Sequence, residues 1–323
     1  MSKLVDPKIF NLPKNTIIDI NRELDMKRLG ILGCASVDSI IYMENFPQPI
    51  PQTLIADRFH ETVGSTGSGK ALNLSKLGFE IDFHALIGDD YYGHKIIDFL
   101  SAQNRLNFLY NFDEKATQRH CNIMNQAGQR ISIFAQESSY NLVGSLDEVE
   151  DIIKNSDSVI LNIGAYCKDY IPLIKKHNKE IWCDLHDYDG KNPYHQEFIE
   201  SADYLFMSSD NCPEYKEVMN RLLKYSKKFL VCTHGKDGAT LLTANGEFMD
   251  FSIIDKYEMI DTNGAGDSFM SGFMFGYLKG YSLEESMKLA TVSGGLCINS
   301  KELVNSKLSE KLLIDEYKQY FTL

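Results

Sequence analysis

The sequence predicts an α/β fold with a central, mostly parallel sheet packed between helices, and three observations carry the prediction. From residue 158 to residue 233 short apolar strands alternate with helical segments, the rhythm of βαβ units. Leu29-Gly30-Ile31-Leu32-Gly33 is continuous in apolar residues, as strands buried on both faces of a parallel sheet are. Near the C-terminus a polar, glycine-bearing turn, Asp261-Thr262-Asn263-Gly264-Ala265-Gly266-Asp267-Ser268-Phe269, runs straight into an apolar helix ending near Leu278.

A chain of 323 residues can be one large α/β domain or two smaller ones, and either buries a substantial core. With 43% hydrophobic and 24% charged residues the composition is that of a soluble globular protein. A formal net charge of −12 argues against nucleic acid or an anionic membrane as the main partner, so an anionic ligand needs a local cluster of donors. The seven cysteines are scattered without CxxC pairs and without a secretory signal, which predicts reduced thiols in a cytoplasmic protein. No apolar run approaches the roughly 20 residues of a membrane span.

Taken in order, residues 1–28 read as an N-terminal extension. Pro7 and Pro13 break any early helix and a charged run leads to Arg28; a surface segment and an oligomer contact both stay open. The strand at 29–33 ends near Asp38, where a ligand meets an open α/β sheet or where an Asp simply makes a turn. Thr62 to Ala71 reads as a glycine-rich loop before a helix stopped by Gly78. Gly64, Gly69 and Lys70 match much of a phosphate-binding P-loop, but Ala71 replaces the hydroxyl that holds Mg²⁺ and no Walker B strand is evident; Lys70 is therefore not expected to bind ATP. The glycines still require close approach of the backbone to a ligand or to a packed helix.

Phe79 to Ile87 is a strand, followed by a helix to about Ala102. Cys121–Met124 and Arg130–Gln136 form a hairpin with polar neighbours, as in a small antiparallel sheet outside the main core. Ser145-x-x-Glu148 predicts a capping box. Strands follow at 158–163, 180–184, 204–207 and 229–233, with helices at 169–177, 193–201 and from Pro213 to about 226. A hairpin turns at Asn245-Gly246, and Ser282-x-x-Glu285 caps a helix toward Ile298. The acids of Asp184-x-His186-Asp187-x-Asp189 lack the spacing of a calcium loop, and Cys183-x-x-His186 lacks the second pair of a zinc site, so solvated loop acids are expected.

In the 261–269 turn, small residues leave backbone N–H groups unshielded where a helix begins, and the helix dipole adds partial positive charge. That is an anion site. Asp267 beside it is either a base for phosphoryl transfer to a hydroxyl or a carboxylate that complements the dipole; the turn alone does not choose.

Asp261-Thr262-x-Gly264-Ala265-Gly266-Asp267-x-Phe269 resembles the C-terminal signature of the ribokinase-like (PfkB) carbohydrate kinases. Gly33 to Asp38, Gly64 to Gly78, Gly128-x-Arg130 and Thr233-x-Gly235-x-x-Gly238 fall where that family carries its other landmarks. The resemblance spans about residues 29–300 and implies a ribokinase-like three-layer sandwich over 29–323, with a small β lid built from segments near 38–63 and 117–136. It implies a kinase that uses ATP and Mg²⁺ to phosphorylate a hydroxyl of a small sugar or sugar derivative. Asp267 would be the base, and the N–H groups of Gly264, Ala265 and Gly266 the anion hole. Asp38, Gly64, Ser65 and Gly69 would lie on the acceptor side, and Thr233, Gly235, Gly238 and Ser208 on the ATP side. Asp261 would lie near a monovalent cation such as K⁺, and a homodimer through the lid would fit the family's habit of pairing lid strands. A nucleoside kinase of the same fold and a non-catalytic sugar- or nucleotide-binding sensor are the alternatives. The chain departs from the family at Ser65, usually glycine, and at Gly69, usually an asparagine that touches substrate. Ser208 and Asn211 replace an Asn-x-x-Glu pair linked to Mg²⁺, and 297–302 lacks the glycine usual in the cation loop.

Overall fold

The computed structural model describes residues 27–321, apart from 127, 226 and 301. All but the last two residues of the predicted N-terminal extension lie outside the described residues; Arg28, its last residue, opens the first strand.

In chain order the first half contains β1 (Arg28–Leu32), β2 (Ser36–Tyr42), β3 (Arg58–Gly64), α1 (Thr66–Lys76), β4 (Glu80–Gly88), α2 (Tyr91–Ser101), β5 (Leu106–Asp113), β6 (Arg119–Met124), β7 (Arg130–Gln136) and α3 (Asp147–Asn155). The second half contains β8 (Ser158–Leu161), α4 (Ile171–Lys176), β9 (Ile181–Asp184), α5 (Gln196–Ser201), β10 (Tyr204–Ser208), α6 (Tyr215–Leu223), β11 (Phe229–Thr233), β12 (Ala239–Thr243), β13 (Phe248–Phe251), α7 (Ala265–Leu278), α8 (Leu283–Ile298) and α9 (Glu310–Phe321).

Among the described residues, nine strands form one sheet in the order β13-β12-β11-β10-β9-β8-β1-β4-β5. The pairs from β11 to β5 are parallel, and β12 and β13 close one edge as an antiparallel hairpin. Its turn places Gly246 at φ 84°, the left-handed conformation that an Asn-Gly turn supplies. A second sheet, β3-β2-β6-β7, stands apart from the first and contains the predicted hairpin.

Both faces of the main sheet are covered, which explains the continuous apolar strands. One face packs against α1, α2, α7, α8 and α9, and the other against α3 to α6. Trp182 on β9 is fully buried, stacked 4.0 Å from Tyr204 and close to Phe229, Phe273 and Tyr277, so it joins three strands to α7.

Two local expectations are corrected. The Ser145 capping box does not form: α3 starts at Asp147 with Leu146 before it, and Ser145 Oγ accepts instead from the Asp147 N–H. The Ser282 box does form, with Ser282 and Glu285 each bonding the other's backbone. The glycine-rich run is not a loop up to Ala71, because α1 begins at Thr66 and takes Gly67 and Gly69 into its first turns. The reason is tertiary. A Cβ on Gly67 would lie 2.1 and 2.3 Å from the carbonyl oxygens of Gly33 and Cys34, so α1 crosses the end of β1 too closely for any side chain.

Candidate active site

The carboxyl ends of the parallel strands, the start of α1 and the start of α7 converge on Asp267. Gly264 caps α7 at φ 77°, and a Cβ there would lie 2.2 Å from the Leu303 carbonyl oxygen, so only glycine fits. The turn does not leave all three predicted amides free: Ala265 N–H bonds back to the Thr262 carbonyl at 3.3 Å. Among the described residues no acceptor meets the N–H groups of Gly264, Gly266 or Asp267. A Cβ on Gly266 would meet nothing within 4 Å, so that glycine borders open space. The donor set is thus centred one residue further along than the sequence implies.

Asp267 is 7% exposed. Its Oδ1 accepts a hydrogen bond from Lys70 Nζ at 2.6 Å, and the same ammonium lies 3.4 Å from Asp184 Oδ2 at the end of β9. Asp267 Oδ2 takes no hydrogen bond among the described residues. Burial pushes the Asp267 carboxyl above its usual range, and Lys70 only partly opposes this. Burial alone would lower the Lys70 ammonium, but Asp267 and Asp184 outweigh it and the net shift is upward. Asp184 is held low: His186 and Lys70 outweigh burial, which acts the other way. Lys70 is fully buried between two carboxylates. Gly69 lies against the same carboxylate, since a Cβ there would be 2.5 Å from Asp267 Oδ2.

On the second sheet, Asp38 is buried in a set of donors. Ser36 Oγ donates to its Oδ1 at 2.6 Å, His120 Nδ1 lies 3.1 Å from the same oxygen, and Asn122 Nδ2 is 3.4 Å from Oδ2. A Cβ on Gly64 would fall 2.2 Å from the Asp38 carboxyl carbon, so this glycine makes room for the acid. His120 Nε2 is buried without a partner among the described residues. Ser65 takes φ 69° and ψ 156° with no side-chain cap bond, a conformation that explains the glycine usual at this position.

Ser208 and Thr233 are register neighbours at the ends of β10 and β11. Gly235 and Gly238 follow with φ 55° and 96°, and a Cβ on Gly238 would lie 2.0 Å from the Phe251 carbonyl oxygen. Beside them opens a cavity of about 520 Å³ lined by Ser209, Tyr215, His234, Asp237 and Asp250 among others.

Asp261 is buried, with Oδ1 bonded by the Asn263 N–H and side-chain amide and Oδ2 by the Tyr42 hydroxyl from the second sheet. Both oxygens thus accept hydrogen bonds. The acids after β9 disperse: Asp187 accepts from Asn211 and Asp189 caps the following turn. Among the described residues no cluster of three or more His, Cys, Asp or Glu could hold a metal. No helix among them is long and apolar enough to cross a membrane.

The structure adds Lys70, Asp184, Ser36, His120, Asn122 and Tyr42 to the residues read from the sequence. Of these, the sequence singles out Lys70, in a phosphate-loop lookalike, and Asp184, in a run of acids read as solvated; Asp184 is instead held against Lys70 and His186, and neither signal points toward Asp267.

The architecture, a large mostly parallel sheet between two helical layers with a small second sheet, is the ribokinase fold. It superposes on a microbiome-derived acarbose kinase with a TM-score of 0.81 at 24% identity, over 90% of this chain and 99% of that one. It superposes on Arabidopsis thaliana ribokinase complexed with ribose and ATP with a TM-score of 0.73 at 21% identity, over 90% and 99%. Residues 26–310 match the pfkB family of carbohydrate kinases, and the chain belongs to that family. In sequence it is 26% identical to an acarbose 7(IV)-phosphotransferase of an Actinoplanes species over 278 residues, 82% of this chain and 89% of the relative. It is 22% identical to a nucleoside kinase of Methanocaldococcus jannaschii over 85% of this chain and 92% of that one. The protein is a carbohydrate kinase, and ATP is the phosphoryl donor its family implies.

Proposed function

We propose that the protein transfers the γ-phosphoryl group of ATP to a hydroxyl of a small sugar or sugar derivative, with Asp267 as general base. The observation that carries this reading is the pairing at the start of α7: a buried carboxylate with one oxygen unbonded among the described residues stands beside amides that have no acceptor among them. Phosphoryl transfer needs little else from the protein than positioning and stabilisation of charge. Asp267 takes the proton of the attacking hydroxyl, and the amides of Gly264, Gly266 and Asp267 face the charge on the transferred group. The Ala265 amide contributes only by giving up its bond to Thr262.

Asp38 and the Gly64–Gly69 segment form the acceptor side in this reading. Asp38 supplies a carboxylate already oriented by Ser36, His120 and Asn122, suited to accept from sugar hydroxyls. Ser208, Thr233, Gly235 and Gly238 form the nucleotide side next to the 520 Å³ cavity. Mg²⁺ bound with ATP supplies charge neutralisation of the phosphates; with Ser208 and Asn211 in place of the family's Asn-x-x-Glu pair, the protein would hold it largely through water. A monovalent cation such as K⁺ near Asp261 stays part of the reading, with a carboxylate already held by Tyr42 and Asn263. The second sheet acts as the lid, and its exposed Phe59, Ile131, Ile133 and Phe134 support pairing of two lids in a homodimer.

The M. jannaschii relative keeps a nucleoside acceptor as the second reading. ADP release with acarbose, ribose, fructose 6-phosphate, 5-dehydro-2-deoxygluconate and inosine separates the two. Asp267→Asn is expected to lower turnover on the best acceptor by about 100-fold or more with little change in melting temperature. A variant retaining most turnover removes Asp267 from its role. Tight binding of one acceptor without turnover by the unmodified protein would favour a sensor.

A further inference from the structure

A lysine is seldom fully buried unless its charge is paired. Lys70 has no exposed surface, yet it stands on a helix whose neighbouring residues are small, and its ammonium ends between Asp267 at 2.6 Å and Asp184 at 3.4 Å. Nothing in the fold requires an ion there: the α1–α7 contact could be closed by an apolar side chain, and such replacements are often as stable as a buried ion pair. The ammonium bonds one oxygen of Asp267, and the other has no hydrogen-bond partner among the described residues. Gly69 completes the arrangement, because any side chain at that position would occupy the space of Oδ2.

We propose that Lys70 is a positioning residue for the phosphoryl transfer: it anchors Asp267 Oδ1, keeps the carboxylate ionised in a buried site, and so presents Oδ2 to the acceptor hydroxyl. Asp184 is the counterweight that keeps Lys70 from neutralising Asp267 completely and spoiling it as a base. The proposal rests on Asp267 being the base. It assigns a joint purpose to Lys70 and to Gly69, which stands where the family usually carries an asparagine.

The groups facing Asp267 are few. Lys70 comes from α1, Asp184 and His186 from the end of β9, and Cys297 from α8. His186 Nδ1 lies 3.5 Å from Asp184 Oδ2. Burial pushes the Cys297 thiol up to about 12, so it stays neutral across the working range. The charge on Asp267 is therefore governed by Lys70, which favours ionisation, by Asp184, which opposes it, and by His186, which favours it when protonated. Removing Lys70 raises the pKa of Asp267 and moves the acidic limb of kcat to higher pH; removing the Asp184 charge moves it to lower pH.

The test measures kcat against pH at saturating MgATP on the full-length protein, using whichever of acarbose, ribose, fructose 6-phosphate, 5-dehydro-2-deoxygluconate and inosine gives the fastest ADP release. Lys70→Met is expected to lower kcat by roughly 100-fold through loss of position. Its acidic limb should rise by about 1–3 pH units. Asp184→Asn should shift the limb the other way, an opposition that a merely structural role does not produce. Should Lys70→Met fail to fold, Asp184→Asn decides alone: a downward shift supports the proposal, and no shift or an upward one overturns it. A ¹³C-carboxyl titration of the ligand-free protein reads the same quantity directly, the Asp267 signal being the one missing from Asp267→Asn. An unmoved midpoint in Lys70→Met overturns the proposal. If Asp267→Asn itself retains turnover, the base assignment fails first, and the two failures are told apart.

Discussion

Replacing Gly69 by alanine adds one methyl group at the place where two helices and the Asp267 carboxylate meet. Its Cβ would sit 2.5 Å from Asp267 Oδ2, 3.0 Å from the carboxyl carbon and 3.1 Å from the Asp267 Cβ. All three belong to one short side chain whose other oxygen is tied to Lys70, so Asp267 cannot swing away without breaking a 2.6 Å charge-assisted bond. The carboxylate must retreat by about 1 Å before the contact becomes ordinary, and a displacement of that size costs roughly 100-fold in a positioned reaction. Stability moves little by comparison. Overpacking costs about 1–3 kcal/mol, and alanine in place of glycine inside α1 returns close to 1 kcal/mol of helix propensity. The assay pairs kcat on the fastest acceptor with thermal unfolding. A loss of about 100-fold in kcat with a melting temperature within a few degrees of the parent is expected. A Gly69→Ala enzyme with parental kcat would refute both the close approach and the role of Oδ2.

Ser65→Gly relieves a residue held at φ 69° and ψ 156° without a side-chain bond in return; unfolding should show a gain of about 1 kcal/mol, and a loss would mean that the hydroxyl has a structural partner. Light scattering at micromolar concentration should give twice the chain mass if the lids pair, and Phe134→Lys on the exposed face should return it to one chain. A single-chain mass for the unmodified protein would remove the dimer from the reading.

Much of the fold is legible along the chain. Phe229–Thr233 is read as a strand to the residue, and the hairpin at Asn245-Gly246 and the Ser282 capping box follow from local chemistry alone. These features depend on neighbours a few residues apart, which periodicity and turn preferences report. β5 escapes such a reading because Leu106–Asp113 is an edge strand that mixes asparagine with aromatics, and little of it is buried. Ser145 misleads for a related reason: the pattern fits a cap, but α3 starts two residues later and Ser145 makes a turn instead.

Composition, the βαβ rhythm and the Asp261–Phe269 turn by themselves determine an α/β fold with an anion site at a helix start, since a helix start rich in small residues binds anions wherever it occurs, and the kinase reading enters through the turn's resemblance to a family signature. Only the tertiary structure decides which atoms face that site. Glycines disfavour helix locally, yet Gly67 and Gly69 lie in α1, where β1 on one side and Asp267 on the other leave no room for side chains. Lys70, which in sequence belongs to a phosphate-loop lookalike, is 197 residues from Asp267 and within 2.6 Å of it in space. No local preference encodes that contact. It exists because α1 and α7 pack side by side over the ends of the parallel strands, where burial turns an ordinary lysine and an ordinary aspartate into a coupled pair.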